Sequence, residues 1–331
     1  MAINTEIKDI MSKEGVLFDV AEKIEYKREL NAEEKEIAEI SDAWAREIGK
    51  TGKDPECTIA EFINRTVNEE IYNAPDELLD QIFERGSVGE FDDYEGHKDP
   101  KNTLVAYEAA RGGNVDRSYI DISVLKPTWK NRQVETDLSY VDLRKNGFKS
   151  IATLTTFMKE ACQNALFFDA LAQADDAVKG GDQLIPVDGA TPTLEAMDKL
   201  SLYLNDRASD SVIITLNKYA QAIRRMPNFA QYMSDTMKDD FNRYGLVKTY
   251  DGIGIAGISG AKKTGTGSLL LPDKRIYGVA GKIGNLDMKG EIHTYQDMNN
   301  QGEKVHIMLK DFTYGIMLTN IENFAKVTLS K

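Results

Sequence analysis

From Ser150 to Val178 the sequence contains neither proline nor glycine, and Ile151, Leu154, Met158, Ala161, Ala165, Phe168 and Ala172 recur at alternating steps of three and four. That spacing predicts one long amphipathic helix with these seven residues as its core face, ended by Gly180-Gly181. At 1.5 Å per residue such a helix is roughly 40 Å long, comparable to a whole small domain. Other elements must support it along its length. An apolar stripe of mixed Ala, Phe and Met reads as packing against sheet rather than as a cofactor groove or a coiled-coil seam.

The flanking sequence supplies the sheet. Thr103 to Glu108 is strand-like, Arg111-Gly112-Gly113-Asn114 has turn chemistry, and Ser118 to Leu125 alternates through Ile120, Ile122 and Val124, which predicts a long hairpin. Gln133 to Leu143 alternates again, with Val134, Thr136, Leu138 and Tyr140 opposite Glu135, Asp137 and Asp142. Beyond the long helix, the pattern predicts a helix from Leu194 to Leu204, a strand from Val212 to Leu216 and helices through Tyr219 to Phe241. Strands follow at 252–258, 276–279, 291–295, 304–309, 312–318 and 325–329. The class is α+β.

The first hundred residues read as short helices. Asn31 with Glu34 resembles a capping box ahead of Ile37, Ile40, Trp44 and Ile48, and Thr58 with Glu61 repeats the signature ahead of Phe62, Ile63 and Val67. A third helix follows Pro75 with Leu78, Leu79, Ile82 and Phe83, and Gly86 to Pro100 reads as loop. This third of the chain carries 27 Asp plus Glu against 12 Lys plus Arg, a net of −15. The remainder has 27 acids and 29 bases, a net of +2. Neither part has the dense basic face that tight nucleic-acid binding requires. Cys57 and Cys162 are too few for a disulfide framework, a reducing cytoplasm is the expected place of synthesis, and no apolar run or basic-then-apolar N-terminus points to a membrane or a secretion signal.

Candidate chemistry is sparse. Gly252-Ile253-Gly254-Ile255-Ala256-Gly257 satisfies G-x-G-x-x-G, but it runs into Ile258-Ser259-Gly260, which cannot open the phosphate-binding helix that the motif needs. Glycines in a bent or closely approached strand explain it better. Gly260 to Gly267 fails the phosphate-loop pattern because position 266 is Thr, and Lys262 and Lys263 read as solvated loop charges or as contacts to a neighbouring subunit. His293 and His306 fall on strands without ligand spacing, and Asp175 with Asp176, like Asp239 with Asp240, diverges around a helix. No catalytic, cofactor or metal residue is assigned.

The joint order of these parts, with Leu138-Ser139-Tyr140-Val141-Asp142-Leu143-Arg144 leading into the long helix and Asn320-Ile321-Glu322-Asn323-Phe324-Ala325-Lys326-Val327 closing the chain, resembles the tailed-bacteriophage major capsid protein of the Hong Kong 97 type. The resemblance implies an acidic helical N-terminal arm or extension at 1–100 and an E-loop at 101–130. It further implies a peripheral domain at 131–190 with its spine helix at 150–178, an axial domain at 191–280, and returning strands at 281–331. It implies a non-enzymatic subunit that self-assembles into hexamers and pentamers of an icosahedral shell. The shell encloses double-stranded DNA without sequence-specific binding, needs no cofactor or membrane, and takes portal, scaffolding or decoration proteins as partners. The virion is the implied location, after synthesis in the host bacterial cytoplasm. The E-loop contacts would be Arg111, Gly112, Gly113, Asp116 and Arg117. Lys126 is the one lysine between Thr103 and Trp129 and sits near the base, so the Lys–Asn crosslink of some relatives is not carried over. Encapsulin shells share the fold and are the alternative within it. Outside it stand a cytoplasmic nucleotide-binding enzyme using residues 252–257 and a decoration or tail component.

Overall fold

The structure, a computed structural model, describes Ile7, Ile10, residues 16–97 apart from 55, 74–76 and 93, positions 104 and 108, and residues 123–224, 226, 249–260, 269–298 and 303–330. The chain forms two compact units. The first comprises Met1–Pro75, Lys130–Leu166 and Lys289–Tyr314, and the second Asp76–Trp129, Phe167–Met288 and Gly315–Lys331. The acidic N-terminal third is therefore shared between them.

In the first unit, α1 (Val16–Glu25), α2 (Ala32–Thr51) and α3 (Thr58–Asn73) come in succession. The capping box at α2 forms as expected, with Glu34 N donating to Asn31 Oδ1 at 2.8 Å and Asn31 N to Glu34 Oε2 at 2.9 Å. At α3 the expectation needs correction: Thr58 is the first helical residue and the cap is Asp54, whose carboxylate accepts from Thr58 N at 3.1 Å and Ile59 N at 3.0 Å. Cys57, at a φ of +51°, turns the chain so that Asp54 overlies those amides.

The next strand, β4 (Thr128–Ser139), stops before Tyr140, and α5 (Tyr140–Asn146) takes over. The Ser139 hydroxyl accepts from Val141 N at 3.2 Å and caps that helix. Tyr140 and Leu143 are both buried, which suits a helix face as well as an alternating strand. After Gly147 comes α6, a single helix from Phe148 to Ala177. Further along, β11 (His293–Met298) pairs antiparallel with β12 (Lys304–Met317), Tyr295 opposite Met308. The two strands expected at 304–309 and 312–318 are one, with Asp311 at a φ of +63° absorbing the irregularity. The core gathers Trp44, Phe62 and Phe148, with Phe148 centroids 6.5 and 5.5 Å from the other two rings.

In the second unit α4 (Glu77–Ile82) is short, and Phe83, expected on it, begins β1 (Phe83–Val88). β2 (Gly96–His97) pairs with β3 (Val124–Leu125). The main sheet consists of β5 (Leu184–Val187), β6 (Ser211–Leu216), β7 (Thr249–Tyr250), β8 (Ile253–Ile258), β9 (Arg275–Ala280) and β13 (Phe324–Leu329), in the order β5-β13-β9-β6-β8-β7. Two helices, α7 (Leu194–Asn205) and α8 (Asn217–Arg224), accompany it. α7 packs so closely that a Cβ at Gly278 would lie 2.8 Å from Leu200 and Leu204. A second sheet of this unit sets β10 (Gly284–Lys289) beside β1, while in the first unit β12 pairs with β11 and with β4. Of the helices expected through Phe241, residues 227–248 lie outside the described residues.

Candidate assembly surfaces

α6 is tied down at each end by a charged group from a distant part of the chain. At its start, Asp42 on α2 accepts from Phe148 N at 3.2 Å and from Arg46 Nε at 2.7 Å, while Arg46 also donates to the Arg144 carbonyl at 3.0 Å. An acceptor at a helix N-terminus stabilises by about 1 kcal/mol. Gly147 turns at a φ of +61° with the Asp42 carboxylate occupying the place a Cβ would take. At the other end, buried Lys326 on β13 donates to the Asp175 carbonyl at 2.7 Å and pairs with Asp175 Oδ1 at 3.1 Å, with Arg275 Nε 3.7 Å from the same oxygen. A cation at a helix C-terminus complements the dipole. Burial, reinforced by the Asp175 charge, pushes the neighbouring Tyr277 phenol far above its ordinary range.

The face that α6 buries differs from the expected one. Ile151 and Met158 are buried, but Leu154, Ala165, Phe168 and Ala172 are only half-buried and Ala161 is exposed. The buried line runs instead through Ile151, Thr155, Met158, Cys162, Leu166, Ala170 and Ala174. Choosing apolar residue types hid it, because Thr155 buries its hydroxyl by donating to the Ile151 carbonyl at 2.9 Å, and the Cys162 thiol, pushed up to about 12 by burial, stays neutral. The expected stripe is a second, partly uncovered apolar face, and Phe157 beside it is 59% exposed.

The glycine run is strand and hairpin. Asp251 and Gly252, at φ values of +48° and +81°, form the two-residue turn between β7 and β8, with Tyr250 opposite Ile253. The strand occupies the segment in which the dinucleotide motif would place its loop. A Cβ at Gly257 would lie 2.3 Å from Asn217 Oδ1, whereas one at Gly254 would meet nothing within 4 Å. His293 and His306 lie on strands as expected. His306 Nδ1 is 2.8 Å from Asp137 on β4, and this hydrogen bond, with help from Lys304, holds the Asp137 carboxyl below its usual range. Among the described residues no three His, Cys, Asp or Glu side chains form a metal cage, and no helix is long and apolar enough to cross a membrane.

A pocket opens beside β1 and β10, lined by Glu84, Arg85, Asp92, Tyr94, Asn285 and Asp287 among others. Asp287 is 4% exposed, and its carboxyl is held above the usual range by burial and then by the nearby Glu84 charge. Sequence reasoning missed it, since a lone Asp in an unrecognised strand carries no signal.

No family model and no curated protein matches the sequence. Solved structures do. The capsid of an empty GTA particle aligns over 76% of this chain and 90% of its own at a TM-score of 0.53 and 11% identity. The acid-stable capsid of Helicobacter pylori bacteriophage KHP30 aligns over 75% and 86% at 0.51 and 12%, and a structure from Mycobacterium phage Ogopogo over 77% and 92% at 0.50 and 14%. The chain has the Hong Kong 97-type capsid fold. α6 is the single long helix expected at 150–178, beginning two residues earlier and ending one residue earlier. The expected E-loop contacts Arg111, Gly112, Gly113, Asp116 and Arg117 lie outside the described residues, as do Lys262 and Lys263.

Proposed function

We propose that this chain is the major capsid protein of a tailed bacteriophage, a structural subunit without catalysis whose copies form the hexamers and pentamers of an icosahedral shell around double-stranded DNA. The observation that carries this reading is the alignment of three-quarters of the chain with nearly the whole of two subunits described as capsids, one from a GTA particle and one from a bacteriophage. On it, the six-stranded sheet with α7 and α8 is the axial domain, α6 is the spine of the peripheral domain, and residues 101–130 are the E-loop. That loop reaches onto an adjacent copy through Arg111, Gly112, Gly113, Asp116 and Arg117. Contacts of this kind are heterologous and must close over a shell. Portal, scaffolding or decoration proteins would be its partners in the virion, and synthesis would take place in the host cytoplasm.

Negative-stain microscopy of the expressed chain, alone and with its assembly partners, tests this. Closed shells are expected from the full chain, and a soluble folded subunit without shells from a deletion of Arg111 to Asp116. Normal shells from the deletion would remove the E-loop assignment, and an absence of particles under every assembly condition would remove the capsid reading.

A further inference from the structure

β1 is held to its unit by few groups. It ends the order of its sheet with β10 as its neighbour, and after buried Phe83 its residues are exposed or half-buried. A strand with so little buried surface opens at low cost. Beneath it lies Asp287 on β10. That side chain is 4% exposed, its Oδ2 is buried without a hydrogen bond among the described residues, and a Cβ at Gly86 of β1 would lie 2.2 Å from its Oδ1. The strand thus closes directly over a carboxyl group, through a residue that has no side chain to obstruct it.

Among the described residues, none of the groups around Asp287 neutralises it. From β1, Glu84 lines the same pocket, and Arg85 is engaged in an ion pair with Asp80 of α4. In the turn that follows, the Asp92 carboxylate lies against Gly89, where a Cβ would be 2.4 Å from its Oδ2, and Tyr94 Oη accepts from Asn285 Nδ2 at 3.3 Å. Within this unit β12 offers only Gly315, Ile316 and Met317. Lys289 is the other titratable residue of β10, yet burial and then the Glu84 charge are what act on the Asp287 carboxyl.

A carboxylate buried without a partner is costly to ionise, so the closed strand favours the protonated group. Opening β1 returns Asp287 to water, where the ionised form is the stable one at neutral pH. An acid raised in the closed form gives stability that is complete below its ordinary, open-form value, falls as pH rises to the closed-form value and stays low above it. We infer that β1 is a proton-controlled latch: protonated Asp287 holds the strand closed on β10, and ionised Asp287 beside Glu84 releases it. The released segment leads into β2, which pairs with β3, and on the capsid reading that pair is the root of the E-loop. The latch itself is read on single chains and stands or falls apart from that reading.

Hydrogen–deuterium exchange of the full chain, corrected for the intrinsic rate at each pH, tests this. From about pH 4 to about pH 7, protection of peptides covering Phe83 to Val88 should fall severalfold, while peptides covering β6 keep theirs. Asp287→Asn has no proton to lose in this range and should give a flat profile. Glu84→Gln, at an exposed position, should give a smaller fall displaced to lower pH. A fall in Asp287→Asn equal to that of the unaltered chain, or a flat profile in the unaltered chain, would overturn the inference. Should Asp287→Asn fail to fold by circular dichroism, Glu84→Gln decides: a profile identical to that of the unaltered chain overturns the latch.

Discussion

The side chains that organise each unit are polar ones whose partners lie far away in sequence. Asp42 reaches the first amide of α6, 106 positions on, and Lys326 reaches the last turn of the same helix across 151. His306 joins β12 to β4 through Asp137, with a longer approach of 3.9 Å to Glu135. The hydrogen bond to His306 is the leading cause of the lowered Asp137 value. An acid depressed in the folded state contributes stability above its unfolded pKa and loses it as pH falls through the folded one. In His306→Gln the Asp137 carboxyl carbon should therefore titrate at higher pH by NMR, and the acid limb of the thermal stability profile should move upward in pH with it. An unchanged Asp137 titration would show that His306 does not govern that carboxyl.

At the scale of elements, the glycines separate strand geometry from nucleotide chemistry. A Cβ at Gly284 would fall 2.1 Å from the Met317 carbonyl oxygen, a backbone atom that β10 and β12 hold in place. At Gly257 the obstacle is the end of the Asn217 side chain, which can turn aside, and at Gly254 there is open space. Overpacking of this kind costs about 1–3 kcal/mol. Thermal melts should then rank Gly284→Ala as most destabilised, Gly257→Ala as intermediate and Gly254→Ala as close to the unaltered chain. A phosphate-binding loop would reverse this, making Gly254 the least tolerant, because there the backbone must approach a pyrophosphate. β5 and β10 escaped the sequence reading for a related reason. β5 carries Pro186 at the edge of its sheet, and β10 alternates polar with apolar through Asn285, Leu286, Asp287 and Met288, so pairing partners and not propensity make them strands.

For the whole molecule, the long helix is the feature that can be followed through unfolding. Cys162 lies near the middle of α6 at 1% exposure with its thiol held neutral, while Cys57 is exposed. A thiol reagent at pH 8 should label one cysteine per chain at once, and the second only at the rate at which the structure around α6 opens. Fast labelling of both would mean that α6 is not packed as described. The rod itself was legible in the sequence, as were the Asn31 cap and most of the C-terminal strands, because helix and cap hydrogen bonds close within a few residues and alternation is a local pattern. Which face of the rod is covered, how Asp42 and Lys326 hold its ends, and why Asp287 lies buried without a hydrogen bond at one carboxylate oxygen were decided by tertiary structure. Those features depend on groups brought together from positions a hundred or more residues apart, and no local spacing encodes such meetings.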